Sequence, residues 1–102
     1  MNIEEKKFGL YLTILRFLTF KITENLRRVY LDFDINSHKI LLTAFYQIYP
    51  SELELELLDD IVTDSDAHIP DFFVESCVKL VDELSDDEYK KHEFVVFAFY
   101  YE

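Results

Sequence analysis

The sequence predicts an α+β fold, a two-layer α/β sandwich in which two helices lie on one face of a mostly antiparallel four-stranded sheet. Three observations predict it. A strand pattern with two-residue periodicity is followed, after a short polar break, by a second apolar strand pattern. Two other segments carry apolar residues at helical spacing. The elements follow in the order αββαββ, and 102 residues suit a single domain, residues 1–102.

The first helix is predicted from about Ile3 to about Ile22. Its apolar residues form two stripes that lie nearly opposite each other. The first stripe is Phe8, Tyr11, Leu12, Leu15, Leu18 and Ile22, and the second is Leu10, Thr13, Phe17 and Phe20. Because a surface helix needs only one apolar face, we expect the second stripe to pack within the fold or a homodimer, or else to bind a partner. Arg16 and Lys21 make this segment too charged to span a membrane.

A β-hairpin is predicted from Leu26 to Ile48. In its first half the apolar residues share one parity, and the second half is apolar on both parities, as a central, covered strand would be. Asn36, Ser37 and His38 separate the halves and have the chemistry of a turn. The first half alternates between Val29, Leu31, Phe33 and Ile35 on one side and Arg28, Tyr30, Asp32 and Asp34 on the other.

The second helix begins with a capping box. Ser51 is followed three residues later by Glu54, so each side chain can bond to the backbone of the other residue. Pro70 disfavours helical geometry in the residue before it, and we therefore expect the helix to end near His68.

Two further strands complete the sheet. Phe72 to Leu80 alternates in polarity, whereas residues 94–101 are apolar on both parities, which predicts a central or covered strand. Ser85 and Glu88 repeat the capping-box spacing and predict one or two helical turns between these strands. Two helices on one face leave the other sheet face without a predicted cover. That face would carry Arg28, Tyr30, Asp32 and Asp34, with Phe45, Tyr49, Phe97 and Tyr101 on a suitable parity to join them.

The chain is strongly acidic, with 21 acidic and 10 basic residues and a net charge of −11. Such a surface repels nucleic acid and anionic membranes and attracts a basic partner, although it also serves solubility alone. The single cysteine, Cys77, cannot form an internal disulfide, so a cytoplasmic location is predicted.

No pattern of residues indicates catalysis, a cofactor or a metal site. His38, His68 and His92 lack the paired spacing of metal ligands, and Gly9, the one glycine, lies inside a predicted helix and not in a phosphate-binding loop. We therefore predict a protein that is not an enzyme and does not bind nucleic acid directly. A small enzyme with a carboxylate site is an alternative.

Residues Ile22-Thr23-Glu24-Asn25-Leu26-Arg27-Arg28-Val29 resemble the helix-to-strand junction of small bacterial immunity proteins of contact-dependent growth inhibition and polymorphic toxin systems. The hairpin, the helix opening Pro50-Ser51-Glu52, its end at Ile69-Pro70 and the short terminal strand also resemble that layout. The sequence departs from it at residues 82–87, where a proline-bearing turn is expected, and at the less basic C-terminus. The resemblance implies a cytoplasmic antitoxin that binds and blocks a cognate toxin domain, often a nuclease.

We therefore predict an immunity protein that neutralises a basic toxin, an RNase (such as a tRNase) or a DNase, by occluding its active or substrate-binding site. Carboxylates would steer the encounter and aromatic side chains would anchor the complex. The candidate partner-binding residues are Tyr30, Asp32, Asp34, Glu52, Glu56, Asp59, Asp60, Asp86, Asp87, Glu88 and Tyr101. The alternative function is a homo-oligomeric or adaptor module that uses the second stripe of the first helix.

Overall fold

The structure, a computed structural model, describes residues 3–18, 23–69 and 71–98. Its elements are α1 (Ile3–Leu18), β1 (Leu26–Asp34), β2 (Lys39–Tyr46), α2 (Glu52–His68), β3 (Phe73–Leu80) and β4 (Phe94–Ala98). Two short 3-10 turns, Val81–Glu83 and Glu88–Lys91, lie between β3 and β4, where one or two helical turns were predicted. The α+β class and the αββαββ order are thus confirmed. The predicted end of the first helix, near Ile22, lies outside the described residues.

The four strands form a mixed sheet in the order β3-β2-β1-β4. Strand β1 pairs antiparallel with both β2 and β4, whereas β2 pairs parallel with β3. The central position predicted for β2 is confirmed. For β4 a central or covered strand was predicted, and the central position is wrong because β4 lies at one edge of the described sheet. Only one parity of β4 faces the core: Phe94 and Val96 pack against it, whereas Val95 is exposed.

The predicted hairpin is formed by β1 and β2, which pair antiparallel. Leu31 pairs with Leu42 and Phe33 pairs with Ile40, so the apolar parity of β1 meets buried residues of β2 on one face of the sheet. His38 ends the turn with φ of 56°, the left-handed region that most side chains avoid. The backbone N–H of Ser37 donates to Asp34 Oδ1 at 3.2 Å and supports the turn.

The core lies between this sheet face and both helices. Ile14 of α1 and Leu58 and Ile61 of α2 pack into one buried cluster with residues of β1, β2 and β3. The buried face of α1 includes Leu10 and Phe17, so these members of the predicted second stripe pack within the fold. The predicted first stripe is divided: Tyr11 packs against the core, whereas Phe8 and Leu12 are exposed. Both stripes were apolar, and only the docking of α1 on the sheet decided which residues are buried.

The predicted capping box of α2 is confirmed. The backbone N–H of Glu54 donates to Ser51 Oγ at 3.2 Å, and the backbone N–H of Ser51 donates to Glu54 Oε1 at 3.2 Å. The hydroxyl of Thr23 also donates to Glu54 Oε2 at 2.6 Å, which ties the start of α2 to the chain just before β1. Helix α2 ends at His68, as predicted.

Candidate partner-binding surfaces

The sheet face turned away from the helices is partly covered, although the sequence predicts no cover for it. Strands β3 and β4 lie at opposite edges of the sheet, so the chain between them must cross β2 and β1. It crosses on this face, because the ring of His92 stacks on the ring of Tyr30 with centroids 4.4 Å apart. We call residues 81–93 the crossover.

His92 fastens the crossover to β1. Its Nδ1 lies 2.5 Å from Asp32 Oδ2, and its Nε2 lies 2.8 Å from Glu88 Oε2. The backbone N–H of Glu93 donates to Asp32 Oδ1 at 2.9 Å and adds a second bond to the same carboxylate.

Glu88 is the buried carboxylate of this cluster. Burial alone would raise the pKa of its carboxyl group. The hydrogen bond with His92 and the bond from the backbone N–H of Ser85 outweigh this effect, so that the pKa lies below its ordinary value. Glu88 is therefore ionised at neutral pH. We call Asp32, Glu88 and His92 the histidine clamp.

Three predicted partner-binding residues are brought together here. Asp32 and Glu88 belong to the histidine clamp, and Tyr30, which is only 1% exposed, lies beneath the His92 ring and meets Phe45 edge-on at 5.8 Å. In the described structure these groups make contacts within the protein. The spacing of Glu88 and His92 by four residues was visible in the sequence, but nothing local pointed to Asp32, which is 60 residues from His92.

Part of the same sheet face lies open beside the hairpin turn. A cavity of about 260 Å³ opens there between the ends of β1, β2 and β3. Asp34, another predicted partner-binding residue, lines it, and hydrogen bonds from Ser37 hold the pKa of its carboxyl group below its ordinary value. Leu41 also lines the cavity. Across the paired strands, Lys39 Nζ lies 3.9 Å from Glu75 Oε1.

The outward face of α2 carries an acidic surface. All four predicted residues of this helix, Glu52, Glu56, Asp59 and Asp60, are exposed there. The 17 residues of α2 contain seven acidic residues and no lysine or arginine. The buried residues of this helix, Leu58, Ile61 and Ser65, lie on its opposite side.

Exposed apolar side chains lie at the start of this acidic face. Ile48 and Tyr49 are each 68% exposed in the loop before α2, and Leu53 is 64% exposed in its first turn. Tyr49 was predicted to join the sheet face, and Ile48 and Leu53 were not among the predicted partner-binding residues. The spacing did not reveal Leu53 as exposed, because it lies four residues before Leu57 and continues the apolar stripe of α2. We call Ile48, Tyr49, Leu53, Glu52, Glu56, Asp59 and Asp60 the α2 surface.

The remaining predicted residues lie elsewhere. Asp86 and Asp87 are exposed on the crossover, which lies across the sheet from the helices. They are therefore not part of the α2 surface. Tyr101 lies outside the described residues, as does the side chain of Phe97.

Within residues 3–18, 23–69 and 71–98, no group of three or more His, Cys, Asp or Glu side chains is arranged to hold a metal ion. Among the helices of that same part of the chain, none has the length and apolarity required to cross a membrane.

Comparison with known proteins identifies the family. A family model described as MafI2 immunity protein matches residues 8–98, which include both hairpin strands, α2, the crossover and β4. No curated protein matches the sequence. The match covers far more than half of the chain and confirms the resemblance to small bacterial immunity proteins of toxin systems. The chain therefore belongs to the MafI2 immunity protein family.

Proposed function

We propose that this protein neutralises a cognate toxin by binding it through the α2 surface and covering the toxin's active or substrate-binding site. Membership of an immunity family supports a toxin as the partner. The observation that carries the choice of surface is the outward face of α2, where carboxylates lie exposed on a helix without a lysine or arginine.

Charge explains how such a surface would find its partner. The net charge of −11 gives the whole molecule a negative field, and clustered carboxylates concentrate that field at α2. Complementary charge mainly raises the rate of encounter and selects the partner, whereas buried apolar contacts hold the complex together. Ile48, Tyr49 and Leu53 provide these contacts at one end of the acidic face.

A basic nuclease is the toxin that fits this surface best. An enzyme that binds RNA or DNA lines its substrate groove with lysine and arginine, because it must bind phosphates. Carboxylates can occupy that groove in place of phosphates, which blocks the substrate without any chemical step. We place this inhibition in the cytoplasm, where a single free cysteine is stable in its reduced form.

The histidine clamp supports a mechanism without catalysis. Both ring nitrogens of His92 are held by carboxylates, so neither is available to move a proton to or from a substrate.

The test compares two pairs of charge reversals that change the net charge equally. The Asp59→Lys/Asp60→Lys variant alters the α2 surface, and the Asp86→Lys/Asp87→Lys variant alters the crossover. At low ionic strength we expect the first variant to associate with the toxin at least about tenfold more slowly than the unaltered protein. The association rate of the second variant should fall much less. Tyr49→Ala should instead raise the dissociation rate, because it removes an apolar anchor.

The comparison separates local contact from overall charge. Equal losses of association rate in both double variants would show that only net charge matters, and would contradict the α2 surface. Protection of a nuclease assay should follow the binding results in the same order. Intact binding without protection would contradict occlusion of the active or substrate-binding site.

A further inference from the structure

Helix α1 carries two apolar side chains that the described part of the fold leaves about half exposed. Phe8 is 54% exposed and Leu12 is 44% exposed. They are four residues apart and therefore lie on the same side of the helix. The buried face of α1, centred on Ile14, points elsewhere. We call Phe8 and Leu12 the outer stripe of α1.

The charges around the outer stripe differ from those of the rest of the chain. Helix α1 contains two acidic residues, Glu4 and Glu5, and three basic residues, Lys6, Lys7 and Arg16. Helix α2 contains seven acidic residues and no lysine or arginine. In a chain of net charge −11, two copies that meet through α2 would repel each other strongly, whereas two copies that meet through α1 bring together segments without an acidic excess.

The charges of α1 are also ordered along its length. Glu4 and Glu5 lie in the first turn and Arg16 lies in the last. Lys6 and Lys7 contact Phe72 and Glu93 of their own chain. If two copies of α1 lie antiparallel, Arg16 of each copy therefore lies beside Glu4 and Glu5 of the other. Phe8 of one copy then lies against Leu12 of the other, and a two-fold axis passes between them.

Gly9 allows the two helices to come close. It is exposed beside the outer stripe, and a Cβ atom placed on it would have nothing within 4 Å in the same chain. The position therefore leaves space that a side chain of a second copy can occupy.

We propose that the protein forms a two-fold symmetric dimer in which α1 pairs antiparallel with α1 of a second copy, with the outer stripe at its centre. A helix of 16 residues is about 24 Å long, so one helix pair buries less than a standard protein interface. The dimer is accordingly weak and depends on concentration. This inference concerns a different surface from the proposed function and does not require it.

Sedimentation equilibrium over a wide concentration range tests the proposal. We expect the unaltered protein to shift from monomer to dimer as its concentration rises. Phe8→Glu and Leu12→Glu should each raise the dissociation constant at least about tenfold, because a charge replaces buried apolar area. Phe73→Glu is the matched control, since Phe73 is a similarly exposed phenylalanine on the sheet, and it should leave the dissociation constant unchanged.

A charge swap guards against loss of folding. Arg16→Glu should weaken the dimer, and adding Glu5→Arg to that variant should restore it, because the two ends of the antiparallel pair then attract again. Misfolding would not be reversed in this way. Circular dichroism should show the same helix content in all variants.

Ionic strength separates the dimer from the toxin complex. Added salt screens the repulsion between two copies of net charge −11, so the dimer should strengthen, while a complex with a basic toxin should weaken. A monomer at every concentration and salt level would overturn the proposal, as would a dimer that Phe8→Glu and Leu12→Glu leave intact. Loss of toxin binding in Leu12→Glu, with the unaltered protein monomeric, would also overturn it by assigning the outer stripe to the toxin.

Discussion

At the scale of single residues, His92 holds the crossover against the sheet face that is turned away from the helices. In the sequence it is one of three scattered histidines. In the fold it joins Asp32 of β1 to Glu88 of the crossover and stacks on Tyr30. The crossover is 13 residues long and includes only short 3-10 turns, so its position depends on contacts of this kind.

Removal of the His92 ring should destabilise the fold. His92→Ala leaves the buried Glu88 carboxylate without its main partner, and we expect the free energy of unfolding to fall by about 2 to 4 kcal/mol. Urea denaturation at neutral pH measures this change. His38→Asn is the control, because asparagine tolerates the left-handed backbone of this exposed residue. It loses the exposed contacts of the ring with the Asp71 carbonyl and with Phe72, and should cost only about 0.5 to 1 kcal/mol. Equal losses in the two variants would contradict the histidine clamp.

Acid should weaken the fold through two glutamates. The pKa values of Glu88 and Glu54 both lie below the ordinary value of 4.5. Burial alone would raise them, but the hydrogen bonds from His92 to Glu88 and from Thr23 to Glu54 outweigh the effect of burial. The unfolded chain therefore takes up protons at a higher pH than the folded chain does. The stability that these groups contribute is complete above about pH 4.5 and is lost as the pH falls through the folded pKa values.

Urea midpoints measured between pH 7 and pH 3 test this sign. The midpoint should fall with decreasing pH below about 4.5, and Glu88→Gln should make the fall shallower because it removes one of the two groups. A midpoint that rises toward pH 3, or an unchanged slope in Glu88→Gln, would contradict the assignment.

At the scale of elements, the start of α2 combines a local helix cap with contacts to a distant part of the chain. Ser51 and Glu54 form the capping box, and Glu54 also accepts bonds from Thr23 and Asn25. One glutamate therefore both caps α2 and holds it beside the start of β1. Asn25 also donates to the Ile48 carbonyl and accepts from the Ile48 N–H, which fixes the loop that carries Ile48 and Tyr49 on the α2 surface.

Loss of the cap should cost a predictable amount. Ser51→Ala removes the hydroxyl that accepts from the Glu54 N–H and should lower the free energy of unfolding by about 1 kcal/mol. Ser51→Thr keeps a hydroxyl at this position and should be close to neutral. Chemical denaturation of the two variants side by side measures the difference, and an equal loss in both would show that the cap is not the cause.

At the scale of the whole molecule, the net charge of −11 opposes folding, because like charges repel one another in the compact chain. Added salt screens this self-repulsion. Raising the NaCl concentration from about 20 mM to about 500 mM at neutral pH should therefore raise the melting temperature by a few degrees, about the effect of 1 kcal/mol in a domain of this size.

The Asp59→Lys/Asp60→Lys variant provides the control for the salt effect. Each replacement changes the charge by two, so the net charge moves from −11 to −7. Its melting temperature should respond less to salt than that of the unaltered protein. Differential scanning calorimetry over a salt series measures both, and an identical response would show that screening of net charge is not responsible.

The predicted partner-binding residues divide between the two sides of the molecule. The four residues of α2 lie in the helical layer, whereas Asp32, Asp34, Asp86 and Asp87 lie on the sheet side. A single toxin surface cannot readily contact both layers. The sequence could show that carboxylates are plentiful, but their grouping into surfaces depends on how the layers stack.

Local patterns in the sequence determined the helices, the hairpin with its turn, the capping box and the acidic character of α2. Each depends on residues within a few positions of one another, whose backbone bonds and periodicity are set by neighbours in the chain. Only the tertiary structure decided the parallel pairing of β2 with β3, which puts β3 and β4 at opposite edges and sends the crossover over Tyr30. It also decided that α1 buries Leu10 and Phe17 and exposes Phe8 and Leu12. The physical reason is that burial and strand order come from contacts between segments distant in sequence, which a periodic pattern permits but does not select.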